Sequence, residues 1–161
     1  MFVGGMALFL HGYRRFTEGV DLLVTPDGLA KAHAAHEGRG YRPPLPSSKN
    51  LRDTENGVRI DFIISGEFPG DGKPKPVVFP DPTEAGITHE DISLLNVPAL
   101  IELKLASGMT GAGRIKDLGD VQELIKLLKL PSDYADGVSP FVQGKYKELW
   151  QSAAGISEQE E

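Results

Sequence analysis

Two aspartates stand inside apolar runs: Asp21 in Val20-Asp21-Leu22-Leu23-Val24, and Asp61 in Arg59-Ile60-Asp61-Phe62-Ile63. A carboxylate placed among apolar side chains is costly unless it is paired, so each of these needs a cation. If the two runs are neighbouring strands, a shared divalent ion meets that need, and carboxylate ligation of this kind suits Mg²⁺. Arginine meets it too: Arg15 could pair with Asp21, and Arg59 or Arg52 with Asp61. At the front of the chain, Val3-Gly4-Gly5 is an apolar residue and a glycine pair leading into helix-forming residues. Such a pair is either an ordinary helix-starting turn or a place where backbone N–H groups approach a phosphate with no side chain between. Asp117 and Asp120 fall at the start of a helical stretch, where acids complement the macrodipole. His11, His33, His36 and His89 show no zinc-ligand spacing, and His33 and His36 read as a solvated helix face. With no cysteine, disulfides, thiolate metal sites and thiol nucleophiles are excluded together.

The elements that must position these residues follow from periodicity and punctuation. Met6 to Tyr13 reads as a short helix ended by Gly12, and Val20 to Val24 as a buried strand closed by Thr25-Pro26. Asp27 is expected to cap a helix over 28–37, stopped by Gly38 and Gly40. Arg52 to Asn56 and Val58 to Ser65 form a hairpin around Asn56-Gly57, and Val77 to Phe79 an edge strand within a Gly- and Pro-rich excursion. The C-terminal third is helical over 97–107, 116–129 and 142–153, with a flexible loop over 108–113. In the middle helix Val121, Leu124, Ile125 and Leu128 fall at i, i+3, i+4 and i+7. This order predicts an α+β (α/β) domain, a small mixed sheet flanked by helices with a helical C-terminal end. One domain is expected over 1–153, with an acidic tail over 154–161. The first strand can be only about three residues long, so either a truncated start or coverage of that edge by another subunit is expected.

The 161 residues carry Lys+Arg 17 against Asp+Glu 23, a net charge of −6. That balance excludes the broad basic face needed to bind a long duplex without sequence preference. No apolar run is long enough to span a bilayer and no leader pattern is visible, so a cytoplasmic, non-membrane protein is expected.

Taken in order, the motifs resemble those of the nucleotidyltransferase superfamily of the DNA polymerase beta type, and most closely its small bacterial AbiEii-like members. That branch writes Gly-Gly-x-Ala, then His-Gly-x-x-Arg-x-Thr-x-Asp-x-Asp. This chain has Gly4-Gly5-Met6-Ala7, then His11-Gly12, Arg15, Thr17, Gly19 and Asp21. The first aspartate of the pair is replaced by Gly19. Later matches are Leu103-Lys104-Leu105-Ala106 and Arg114-Ile115-Lys116-Asp117-Leu118-Gly119-Asp120.

The resemblance implies the fold of that superfamily and transfer of a nucleoside monophosphate from a nucleoside triphosphate to a hydroxyl of RNA, a protein or a small molecule. It implies Asp21 and Asp61 as catalytic carboxylates and Mg²⁺ ligands. Gly4, Gly5, Arg15, Thr17, Lys104 and Lys116 would hold nucleotide and phosphate, though Lys104 could equally snorkel from an apolar helix. Gly19 supplies no oxygen, which predicts weakened or lost Mg²⁺ binding and catalysis. Glu18 points to the other strand face and offers no simple rescue. The alternative function is a non-catalytic nucleotide- or protein-binding module, as a homodimer or with a partner protein.

Overall fold

The computed structural model describes residues 1–157; the end of the expected acidic tail, 158–161, lies outside them. Two compact units are formed, one from Met1–Glu67 with Phe79–Asn96, the other from Phe68–Val78 with the chain from Val97 onward. Among the described residues no helix is long and apolar enough to cross a membrane.

The first unit is a seven-stranded mixed sheet with two helices. Its elements are β1 (Phe2–Val3), α1 (Gly4–Leu10), β2 (Gly19–Val24), α2 (Pro26–His36), β3 (Tyr41–Arg42), β4 (Leu51–Asp53), β5 (Arg59–Ile64), β6 (Gly86–His89) and β7 (Ile92–Leu95). The strand order is β3-β4-β5-β2-β1-β7-β6. The two longest strands, β2 and β5, run parallel in full register from Gly19↔Arg59 to Val24↔Ile64. Strand alternation then sorts their side chains. Val20, Leu22 and Val24 share one face with Ile60, Phe62 and Ile64, and α2 packs on it through His33, whose ring centre is 6.0 Å from that of Phe62. Gly19, Asp21 and Leu23 share the other with Arg59, Asp61 and Ile63.

Helix α2 begins two residues earlier than expected because Thr25, not Asp27, is its cap: the Gly28 N–H donates to Thr25 Oγ1 at 3.0 Å. The solvated face expected of α2 is only half right. His36 is exposed, whereas His33 is half-buried, with Nε2 2.7 Å from the Lys49 carbonyl oxygen and Nδ1 3.0 Å from Glu37 Oε2. Both partners are acceptors, so both ring nitrogens must donate and the imidazolium form is favoured. The Lys49 carbonyl first, and Glu37 second, raise the His33 pKa above its ordinary 6.5. A raised histidine adds stability that is complete below pH 6.5 and is lost as pH climbs through the folded-state value. We expect an NMR titration to place His33 above 6.5, and His33→Gln to remove that loss from the stability profile; a titration at or below 6.5 would refute the double-donor geometry.

Two strand expectations change. Val77 to Phe79 forms no strand; Val77 is fully buried in the second unit, while in the first the Gly66 N–H donates to the Phe79 carbonyl and the Phe79 N–H to the Glu67 carbonyl. The β6–β7 hairpin was not foreseen. Its turn puts Glu90 at φ 46 and Asp91 at φ 65, the conformation normally announced by Asn-Gly rather than Glu-Asp.

The second unit packs α3 (Val97–Thr110), α4 (Ile115–Leu128), a 3₁₀ turn (Ser132–Gly137) and α5 (Pro140–Ser157). Helix α3 continues through Gly108 to Thr110, so the expected loop shrinks to four residues. Gly108 is required there: a Cβ on it would meet the Leu118 side chain at 2.6 Å. Of the α4 stripe, Val121, Leu124 and Ile125 are buried and Leu128 is at the margin. Lys129 in the left-handed conformation closes α4, and α5 is tied to the following chain by Tyr146 Oη donating to Pro131 O and Trp150 Nε1 to Leu130 O, both at 2.9 Å.

Candidate functional site

The first unit brings together most of the residues singled out at the front of the chain. Asp21 and Asp61 are direct partners in the β2–β5 register, so their side chains leave the same face of adjacent strands. The short β1 pairs with β2 through Val3↔Asp21, which places the turn into α1 beside that aspartate. Gly4 sits at φ +57, and a Cβ on it would overlap the Asp21 carboxylate. A Cβ on Gly5 would meet Thr17 Oγ1 at 2.9 Å. Both glycines are therefore needed for close approach, Gly4 for its backbone conformation as well. Thr17 Oγ1 donates to the Gly19 carbonyl at 3.0 Å, fixing the entry to β2. Arg15 Nη1 donates to the Phe16 carbonyl at 3.3 Å in the same segment.

The Gly4–Gly5 turn is thus lined by a carboxylate. An anion seated there would face Asp21, and α1, at seven residues, has little macrodipole to offset it. The arrangement could hold phosphate only with a cation between.

Asp61 already has one. Arg59 Nη2 lies 3.1 Å from Asp61 Oδ2, the arginine side chain half-exposed and the aspartate partly buried. Gly19 is the register partner of Arg59, and a Cβ on Gly19 would come 2.9 Å from the Arg59 carbonyl oxygen and 3.2 Å from Arg59 Cβ. The position where the resembling family keeps its first aspartate has no room for a side chain without moving β5. Among the described residues no three His, Cys, Asp or Glu side chains are grouped to hold a metal ion. Two carboxylates, one of them bound to arginine, are an inadequate donor set for a pair of Mg²⁺ ions, which require near-octahedral oxygen shells. The residues present do not fit that group.

Lys104, Lys116, Asp117 and Asp120 belong to the second unit. Lys104 does not snorkel. Its Nζ is buried, 2.9 Å from Asp117 Oδ1 and 2.7 Å from Asp120 Oδ2. Asp117 Oδ2 also accepts from Ser107 Oγ at 2.7 Å and from Arg114 Nε at 2.9 Å. Burial pushes the Asp117 carboxyl up, but the Lys104 charge, the Ser107 hydroxyl and Arg114 together outweigh it and hold its pKa below the usual value. Lys104 is therefore spent on structure between α3 and α4, as is Asp117, while Lys116 is exposed. Sequence reasoning missed Ser107 and had Arg114 only as a motif residue with no role. Their signal was spacing: Ser107 is three residues after Lys104, and Arg114 three before Asp117, neighbours on a helix face.

No family profile matches the chain, and no curated protein matches it either. Among solved structures, the chain is similar to one described as "putative nucleotidyltransferase from H. pylori". The two share 14% identity over 100% of this chain and 88% of that one, with a TM-score of 0.49. A likeness at that level assigns no chemistry.

Proposed function

We propose that this chain is a nucleotidyltransferase-fold protein that has lost nucleotidyl transfer and serves as a binding module. The ordered motifs, from Gly4-Gly5 to Asp120, support the fold assignment together with the parallel β2–β5 pair that sets Asp21 beside Asp61. The loss is carried by one observation: Arg59 bound to Asp61, next to a Gly19 that has no space for a carboxylate. Transfer through two metals needs carboxylates that clamp both ions. Here one is missing and another is neutralised by arginine. The finer likeness to AbiEii-type bacterial proteins, with a homodimer or a protein partner, rests on the motif order alone.

The test is a transfer assay with labelled nucleoside triphosphates, Mg²⁺, and RNA or protein acceptors, run beside Asp21→Ala. The expected result is no transfer by the native chain above that variant. Transfer by the native chain that disappears in Asp21→Ala would overturn the proposal.

A further inference from the structure

Three arginines stand in a row across the outer half of the first unit's sheet. Arg42 on β3 is the direct partner of Arg52 on β4, and Arg52 is the direct partner of Arg59 on β5. Directly opposed residues of antiparallel strands project from the same face, with Cβ atoms about 5 Å apart. Arg59 in turn is level with Gly19 on β2, where no side chain interrupts the row. All three arginines are exposed. Arg59 has Asp61 at 3.1 Å, whereas among the described residues neither Arg42 nor Arg52 has an ion-pair partner.

Like charges directly opposite one another weaken a sheet. Here that cost is met twice in succession, on strands of two, three and six residues, in a chain whose net charge is −6. At Arg42 and Arg52 charge is concentrated where the strands gain no ion pair from it. Strands are spaced about 4.8 Å apart, so the row delivers three guanidinium groups along roughly 10 Å, from beside Asp61 to the outermost strand. That is a linear track for successive phosphates and not a point site for one.

We propose that this row binds the sugar–phosphate backbone of a single-stranded nucleic acid. The guanidinium fork matches phosphate geometry well. A duplex is disfavoured because the track is one row wide on an acidic protein. A free nucleoside triphosphate concentrates its charge at one end, which the spread of the arginines does not match. Recognition is independent of sequence: Tyr41, the aromatic residue next to Arg42, projects to the opposite face, where its ring meets His36 edge-on at 5.6 Å. Binding needs neither transfer nor a metal ion, so it stands or falls apart from the transfer assay.

The test uses the full chain and a labelled oligouridylate, read by fluorescence anisotropy across a salt series without divalent ions. Each neutralised phosphate on a single strand contributes about −0.7 to the slope of log K against log salt, so Arg42 and Arg52 predict about −1.4, and Arg59, shared with Asp61, takes the slope to no more than about −2. Arg42→Gln and Arg52→Gln should each reduce its magnitude by about 0.7 and weaken binding several-fold at low salt. Because Arg52 lies between like charges, Arg52→Gln should not lower the Tm, and a folded variant with weakened binding is then read directly. ATP at matched phosphate concentration should compete poorly. No binding of the oligonucleotide, a slope unmoved by both variants, or ATP competing as well as the strand would each overturn the proposal.

Discussion

Replacing Lys104 by methionine is expected to destabilise the protein by about 3–5 kcal/mol, more than any other single substitution considered. Methionine keeps the length and apolar stem of lysine but leaves Asp117 and Asp120 buried side by side, 7% and 2% exposed, without their shared ammonium. Removing one member of a buried ionic cluster costs more than the cluster itself contributes, because the remaining charges are stranded in a poorly solvated place. Neutralising the pair as well, with Asp117→Asn and Asp120→Asn on the Lys104→Met background, should recover part of the loss. The pH dependence gives a second readout. In the native chain the Asp117 pKa is depressed, so its contribution is present above the ordinary 3.8 and is lost as pH falls through the folded-state value. Without Lys104 the largest charge that lowers this carboxyl is gone, while Ser107 and Arg114 remain, so the depression shrinks and the variant loses less stability than the native chain as the pH falls. Urea unfolding at neutral and acidic pH measures both effects. A loss below about 1 kcal/mol at neutral pH would mean that the cluster is hydrated and not the clamp between α3 and α4 that its geometry describes.

The cluster also marks where reading the sequence stops. The α3 and α4 helices and their apolar stripe were legible, because periodicity reports which face is buried. What a buried lysine touches was not: the sequence left Lys104 open between a phosphate contact and snorkelling, and the clamp to Asp117 and Asp120 appears only once α4 packs on α3. In the sheet, β2 and β5 were legible as apolar runs carrying one carboxylate each, and Asp61 paired with Arg59 was one of the alternatives open from spacing alone. The β6–β7 hairpin was illegible because Glu90-Asp91 adopts a glycine-type turn that tertiary pairing imposes. The arginine row was illegible for a related reason. Arg42, Arg52 and Arg59 are spaced by unequal loops in the chain and become neighbours only through strand register.

Register also decides what Gly19→Asp should do. Read from the motif alone, that substitution restores a missing carboxylate and ought to revive metal binding. The structure predicts the reverse. A Cβ at this position would sit 2.9 Å from the Arg59 carbonyl oxygen, a backbone atom of the neighbouring strand that cannot swing aside as a side chain can. Accommodating it requires β2 and β5 to part at Gly19↔Arg59, the first rung of their ladder, at a cost of about 1–3 kcal/mol. Gly19→Ala separates space from charge: it should lose a comparable amount, because the obstruction begins at Cβ. Any carboxylate that did fit would lie beside Arg59, which is free to pair with it or with Asp61, so a further acid leaves the guanidinium and not a metal as the local cation. The expected outcome is therefore a less stable protein with no Mg²⁺-dependent transfer. The double variant Gly19→Asp, Arg59→Gly tests the second half of the argument by removing the guanidinium and the Arg59 Cβ together. Stable folding of Gly19→Asp with transfer activity would show that one substitution separates this chain from catalysis, and that the Arg59–Asp61 pair is no barrier to it.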